Sequence, residues 1–258
     1  MSYQTILVTE ADGIGTVTLN RPEVMNALSR QMRLEMAAAL QALHGTARCI
    51  VITGTGRAFC SGQDLQDAGH IAAVDFTRIL NEEYVPLLRL ITESPVPTIA
   101  AVNGAAAGAG ANLALACDVV IAAESASFIQ AFSRIGLIPD AGGTHWLPRQ
   151  IGLARAMGAA LFADRIGARQ AADWGMIWEA VPDAEFPAVI AARAGHLANG
   201  PTVAYQAAKQ ALRASFDLDL GQALALEADL QGRCGATDDF REGVAAFLEK
   251  RPPRFRGA

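Results

Sequence analysis

Residues 103–112, Asn103-Gly104-Ala105-Ala106-Ala107-Gly108-Ala109-Gly110-Ala111-Asn112, form a turn almost without side chains, directly after the apolar run Val96 to Val102. Only backbone lines such a turn. If a helix begins near Ala109, its first N–H groups lack intrahelical acceptors and face whatever oxygen lies in front of them, the arrangement that stabilises a developing oxyanion. Close helix packing is an alternative reading of the small residues, and the two are compatible. A dinucleotide fingerprint is not, because Gly108-Ala109-Gly110 lacks a third Gly at the required spacing. Two other stretches carry groups of interest. Ser61-Gly62-Gln63-Asp64-Leu65 reads either as a second ligand-facing loop or as an ordinary loop whose Asp64 caps a helix start. Asp140, in Pro139-Asp140-Ala141-Gly142-Gly143-Thr144, reads either as a proton-transfer acid or as the N-cap of a helix.

The composition narrows the class of molecule. A chain of 258 residues, 52% hydrophobic and 18% charged, has the make-up of a compact globular protein. Its net charge of −5 argues against a nucleic-acid partner, though local Arg or Lys residues remain able to hold a small anion. Cys49, Cys60, Cys117 and Cys234 show neither paired spacing nor a nearby His pattern, so no disulfide framework and no metal site is expected. His44, His70, His145 and His196 are scattered; His145 falls near Asp140 in sequence and is expected to be structural. No signal-like segment or membrane-length apolar run is present, and the expectation is a cytoplasmic protein.

These groups need a scaffold, and its rhythm is visible. Thr5–Val8 and Gly15–Leu19 are β-rich runs separated by the hairpin punctuation Ala11-Asp12-Gly13. Ser29 is placed to cap a helix with Met32, Met36, Leu40 and Leu43 on one face, leading to the buried-type strand Cys49–Thr53. A helical segment near Thr77–Thr92, a strand Thr98–Val102, a helix from about Ala109 to Ala116 and a strand Val119–Ala122 follow, which predicts parallel strands wrapped in helices. Asp118 is expected to cap or brace the strand after it. Beyond Thr202 the pattern is wholly helical: Val203–Ala214, Leu218–Arg233, then Thr237–Glu249 with Phe240, Val244, Phe247 and Leu248 on one stripe, stopped by Pro252-Pro253. With few strands of its own to fold against, this tail packs back on the core or on a neighbouring subunit.

Asn20-Arg21-Pro22, Asn26-Ala27-Leu28, Gly56 to Leu65, Ala101-Val102-Asn103-Gly104 with Gly108-Ala109-Gly110, Gly136 to Thr144, and Glu242 to Arg251 together resemble the enoyl-CoA hydratase/isomerase (crotonase) superfamily over the whole chain. Phe132 to Asp140, Trp174 to Trp178 and Arg241 to Val244 are most similar to its branch of 1,2-epoxyphenylacetyl-CoA isomerases of aerobic phenylacetate degradation. The resemblance implies an α/β fold, a spiral of repeated ββα units over residues 1–200. It also implies a helical region over 201–258 that drives a homotrimer, paired into a dimer of trimers.

By position, the resemblance places the two oxyanion-hole N–H groups on Gln63 and Ala109, at a thioester oxygen. It assigns contact with a CoA thioester to Ala27, Ala58, Ser61, Gln63, Asp64, Leu65, Ala109, Asn112 and Phe132, with Phe247 and Lys250 reaching the CoA of an adjoining subunit. Coenzyme A is then a substrate handle, and no further cofactor is implied. Hydratases of the superfamily hold water with two Glu residues; those positions carry Asn112 and Phe132 here. Neither ionises, and by themselves Asn112 reads as a polar residue bonding the helix backbone and Phe132 as core, so water addition is disfavoured and Asp140 remains as a lone acid for a 1,3-proton shift. Burial beside Phe128, Phe132 and Trp146 would raise its pKa and a helix N-terminus would lower it.

Overall fold

A computed structural model describes residues 3–66 and 75–258. Strands β1 (Ile6–Ala11) and β2 (Ile14–Leu19) pair antiparallel, joined by Asp12 and Gly13 at φ of 52° and 74°. Both turn residues are left-handed, as a tight hairpin with the native strand twist requires. Helix α1 (Arg30–Leu43) starts at Ser29, whose hydroxyl accepts from the Met32 N–H over 3.2 Å. Its buried face is Met32, Met36, Ala39, Leu40 and Leu43.

From here strands come in pairs, each pair followed by helix. β3 (Cys49–Gly54) and β4 (Ala58–Cys60) lead to α2 (Phe76–Ile79), a π-turn (Leu80–Tyr84) and α3 (Val85–Thr92). β5 (Thr98–Val102) and β6 (Ala105–Ala107) lead to α4 (Ala109–Leu115). β7 (Val119–Ala123) and β8 (Ser127–Ile129) lead to α5 (Gly143–Phe162), which is kinked at Gly152. β9 (Ile166–Gly167), α6 (Ala168–Asp173), β10 (Glu179–Val181) and α7 (Phe186–Ala198) complete the core. One member of each pair enters a six-stranded sheet, β1-β2-β3-β5-β7-β10, and the other a four-stranded sheet, β4-β6-β8-β9. Past the first hairpin the larger sheet is parallel. This is the expected spiral of ββα units.

The segment near Thr77–Thr92 is not one uniform helix. Pro86 has no N–H to continue the i→i−4 ladder, and the wider turn at Leu80–Tyr84 lies just before it. The widened turn buries the adjacent residues Glu83 and Tyr84 together.

The tail is helical as read: α8 (Thr202–Ala214), α9 (Leu220–Gly235) and α10 (Asp238–Glu249). Thr237 caps α10 by accepting from the Phe240 N–H over 3.0 Å. Lys209 of α8 donates to the carbonyls of Ser94 and Val96, and both Lys209 and Arg213 pair with Asp118 at 2.7 and 2.9 Å. Asp118 also accepts from the N–H and hydroxyl of Thr98. It therefore braces the start of β5 and anchors α8, in place of the expected role toward the strand that follows it. The stripe of Phe240, Val244, Phe247 and Leu248 stays exposed and helps line an open groove of about 880 Å³ between α8, α9 and α10. No helix among the described residues is long and apolar enough to cross a membrane, and no His, Cys, Asp or Glu cluster there is suited to a metal. The four cysteines are free.

Candidate active site

β4 ends at Cys60 and the chain passes Ser61 and Gly62 to reach Gln63. There a short parallel bridge to Leu28 forms: the Leu28 N–H donates to the Gly62 carbonyl (2.8 Å) and the Asp64 N–H to the Leu28 carbonyl (3.2 Å). In such a bridge the intervening amide, that of Gln63, points to the other side. The second segment arrives from β6. Gly108 donates to the Ile129 carbonyl (2.8 Å) and α4 begins at Ala109, whose N–H precedes the first helical hydrogen bond, Asn112 N–H to Gly108 carbonyl at 3.2 Å. Neither the Gln63 nor the Ala109 amide has a backbone acceptor among the described residues.

The two segments touch because both glycines are needed. Gly62 has φ of +98°, and a Cβ there would lie 2.9 Å from the Ala107 carbonyl oxygen and 3.5 Å from the Ala109 nitrogen. On the far side of α4, a Cβ on Gly110 would fall 2.5 Å from the Cys60 oxygen and 2.6 Å from its Sγ. The close-packing reading of Gly108-Ala109-Gly110 is thus correct, and the same packing brings the free amides together.

Gln63 and Ala109 both line a cavity of about 290 Å³, together with Leu65, Tyr84, Phe132 and Asp140. Phe132, on a short 3₁₀ turn (Ala131–Ile135), walls it as expected. Asp140 is the one carboxylic acid among the described lining residues. Burial pushes its pKa up from the usual carboxylate range to about 6, offset in part by a backbone hydrogen bond. Its Oδ1 is buried with no partner among the described residues. The N-cap alternative is overturned, since Gly142 caps α5 and the Gly143 N–H goes to the Asp140 main-chain carbonyl (2.8 Å), not to its carboxylate.

Asn112 requires a correction. Set against the substrate by the resemblance, it is fully buried and absent from the cavity wall, and its alternative reading as a polar residue bonded to backbone is the one that fits. Its Nδ2 donates to the Asp140 carbonyl (2.8 Å) and its Oδ1 accepts from Gln130 (2.8 Å), so it fixes the backbone that carries the acid. Asp64 pairs with Arg21 at 2.7 Å and accepts from the Gln66 N–H (3.0 Å); the helix start it was read as capping runs beyond Gln66, outside the described residues. Ser61 and Leu65 line the cavity, whereas Ala27 and Ala58 are buried beside it in sequence without lining it. Phe247, 82% exposed, and Lys250, the left-handed cap of α10, also stand outside this cavity. His145 lies edge-on to Trp146 and lines a different cavity with Arg149 and Arg213; His70 falls outside the described residues.

Sequence reasoning missed the group behind Gln63. Arg33, 2% exposed, pairs with Glu83 (2.5 Å) and donates to the Leu28 carbonyl (2.6 Å) and to Gln63 Oε1 (3.0 Å). The Tyr84 hydroxyl donates to the same Oε1, and the guanidinium sits 4.9 Å over the Tyr84 ring. Burial would raise the Glu83 pKa, but the hydrogen bonds and charge of Arg33 outweigh it and the net direction is down. A single sequence signal existed, a charge on the buried side of α1, but nothing local pairs it with a residue fifty positions away.

Two preorganised amides, one acid and an apolar wall suit enolate chemistry at a carbonyl. A family model described as enoyl-CoA hydratase/isomerase matches residues 9–258. A Rhodobacter capsulatus protein named a probable enoyl-CoA hydratase is 62% identical over 257 residues, covering 100% of both chains. The 1,2-epoxyphenylacetyl-CoA isomerase of Escherichia coli K12 is 47% identical, covering 95% of each. The crystal structure of an enoyl-CoA hydratase from Bacillus anthracis superposes with a TM-score of 0.91 at 33% identity, covering 99% of this chain and 100% of that one. The chain belongs to the enoyl-CoA hydratase/isomerase family, whose ββα spiral and CoA-thioester chemistry its residues carry.

Proposed function

We propose that the protein is an isomerase that moves a proton between carbons of an acyl-CoA, with ring-1,2-epoxyphenylacetyl-CoA as its substrate and an oxepin CoA ester as product. The observation that carries this reading is the lone acid: Asp140 is the single carboxyl of the described cavity wall, and Phe132 and Asn112 occupy the positions where hydratases of the family hold water with Glu. The Gln63 and Ala109 amides bind the thioester oxygen as it gains charge. Asp140 takes the proton from the carbon next to the thioester and returns it to a ring carbon, after the epoxide C–C bond has opened within the ring to give the seven-membered ether. The C–H bond broken at one carbon is replaced by one formed at the other, so no electrons enter or leave.

A second reading is supported by the name of the Rhodobacter capsulatus relative: a general Δ3,Δ2-enoyl-CoA isomerase or weak hydratase, using the same acid and amides. A panel of ring-epoxide, 3-enoyl and 2-enoyl CoA esters separates them. Rapid hydration of crotonyl-CoA with no turnover of either isomerisable ester would refute the proposal. The assembly that goes with it is a homotrimer or a dimer of trimers, built on the apolar groove of α8 to α10, with Phe247 and Lys250 reaching a neighbour's CoA. A non-catalytic CoA-binding subunit would show binding without turnover in the same panel.

A further inference from the structure

Gln63 offers the cavity more than its main-chain amide. Its side chain is gripped at one end: Arg33 and the Tyr84 hydroxyl both donate to Oε1. Arg33 has no acceptor, so the carboxamide oxygen must face it, and the NH₂ group is the opposite end. That Nε2 has no partner among the described residues. The grip is rigid, because Arg33 is itself fixed by Glu83 and by the Leu28 carbonyl.

The two main-chain amides are assigned to the thioester oxygen, and the other side-chain donors of the wall differ from Gln63 in how they are held. The Ser61 hydroxyl donates to the Val24 carbonyl (3.2 Å) and the Tyr84 hydroxyl to Gln63 itself, while Arg134 spends one of its five N–H groups on the Ala163 carbonyl (2.5 Å) and is otherwise solvent-exposed. Ionised Asp140 presents lone pairs, which repel an ether or epoxide oxygen. Leu65, Phe76, Ile79, Leu80, Phe132 and Leu137 are apolar walls. An acyl oxygen carried into this cavity would lose its water, and the Gln63 NH₂ is the uncommitted side-chain donor whose position other buried groups fix, in contrast to the exposed Arg134.

We propose that Gln63 is a specificity-determining residue: its NH₂, set by Arg33 and Tyr84, donates to an oxygen in the ring of the acyl group, so the site selects CoA thioesters of oxygen-containing rings over their carbocyclic counterparts. This deepens the isomerase reading and rests on it for the placement of the acyl group. The test is calorimetric binding of two unreactive esters, tetrahydropyran-2-ylacetyl-CoA and cyclohexylacetyl-CoA, to the wild type and to Gln63→Met and Gln63→Glu. Both variants keep the backbone N–H. Gln63→Glu also keeps acceptors for Arg33 and Tyr84 while lacking the NH₂. The wild type is expected to favour the oxygen ring about tenfold, a modest case of selection by a hydrogen bond, and each variant to bring the ratio within about threefold of unity. Absence of preference in the wild type, or its survival in either folded variant, overturns the proposal. Failure of the isomerase reading shows separately, as wild-type protein that binds esters and turns none over.

Discussion

Asp140 is a carboxylic acid made useful by its discomfort. Its buried, unpartnered oxygen raises the pKa to about 6, so the ionised form is the less favoured one in the fold. The linkage has a definite sign: a folded pKa above the unfolded value gives stability that is complete below about pH 4 and is lost as pH rises through about 6. Asp140→Asn should therefore unfold at higher temperature than the wild type at pH 8, by a margin worth about 1–3 kcal/mol, and the difference should close near pH 4. Thermal melts at the two pH values check this. In the proposed role of base the group works only when ionised, so wild-type kcat/KM should fall as pH drops through about 6. A pH–rate profile with no break there would remove Asp140 from that role. The residue was legible in the sequence as a candidate, but its state was not, since burial and helix position pull in opposite directions and only packing decides between them.

At the scale of elements, short-range signals translated well. Ser29 caps α1 and Asp12-Gly13 turns the first hairpin, because each depends on neighbours within a few positions. What escaped notice needs distant partners. The π-turn before Pro86 buries Glu83 and Tyr84 together, and their partners, Arg33 and Gln63, come from α1 and the β4 loop. α5, rich in Ala and Gly and kinked at Gly152, offers no clear apolar stripe to read. The Ala109 amide at the start of α4, the proposed oxyanion donor, gives an element-level test. Proline is tolerated at a first helical position and removes the N–H, so Ala109→Pro should retain the fold while lowering kcat roughly 10²–10³-fold. Circular dichroism and steady-state kinetics measure the two. Gly110→Ala attacks the seat of the same helix: its Cβ has no room against Cys60, and urea unfolding should show a loss of about 1–3 kcal/mol or more.

The whole molecule divides its labour between two sheets that meet at the site and a helical tail tied on by Asp118, Lys209 and Arg213. The tail leaves Leu224, Phe240, Phe247 and Leu248 at more than half exposure, a surface that association would cover. Sedimentation velocity should find three or six copies, and Phe247→Asp should shift the distribution toward the monomer and weaken CoA-ester binding together. A monomeric wild type with full ester affinity would count against that assembly.

The most direct measurement is turnover by Asp140→Asn of whichever ester the wild type isomerises fastest, alongside calorimetric binding of an unreactive CoA ester. A fall in kcat of roughly 10²–10⁴-fold with ester affinity retained is expected if Asp140 carries the proton. Isomerisation at the wild-type rate by this variant would contradict that role.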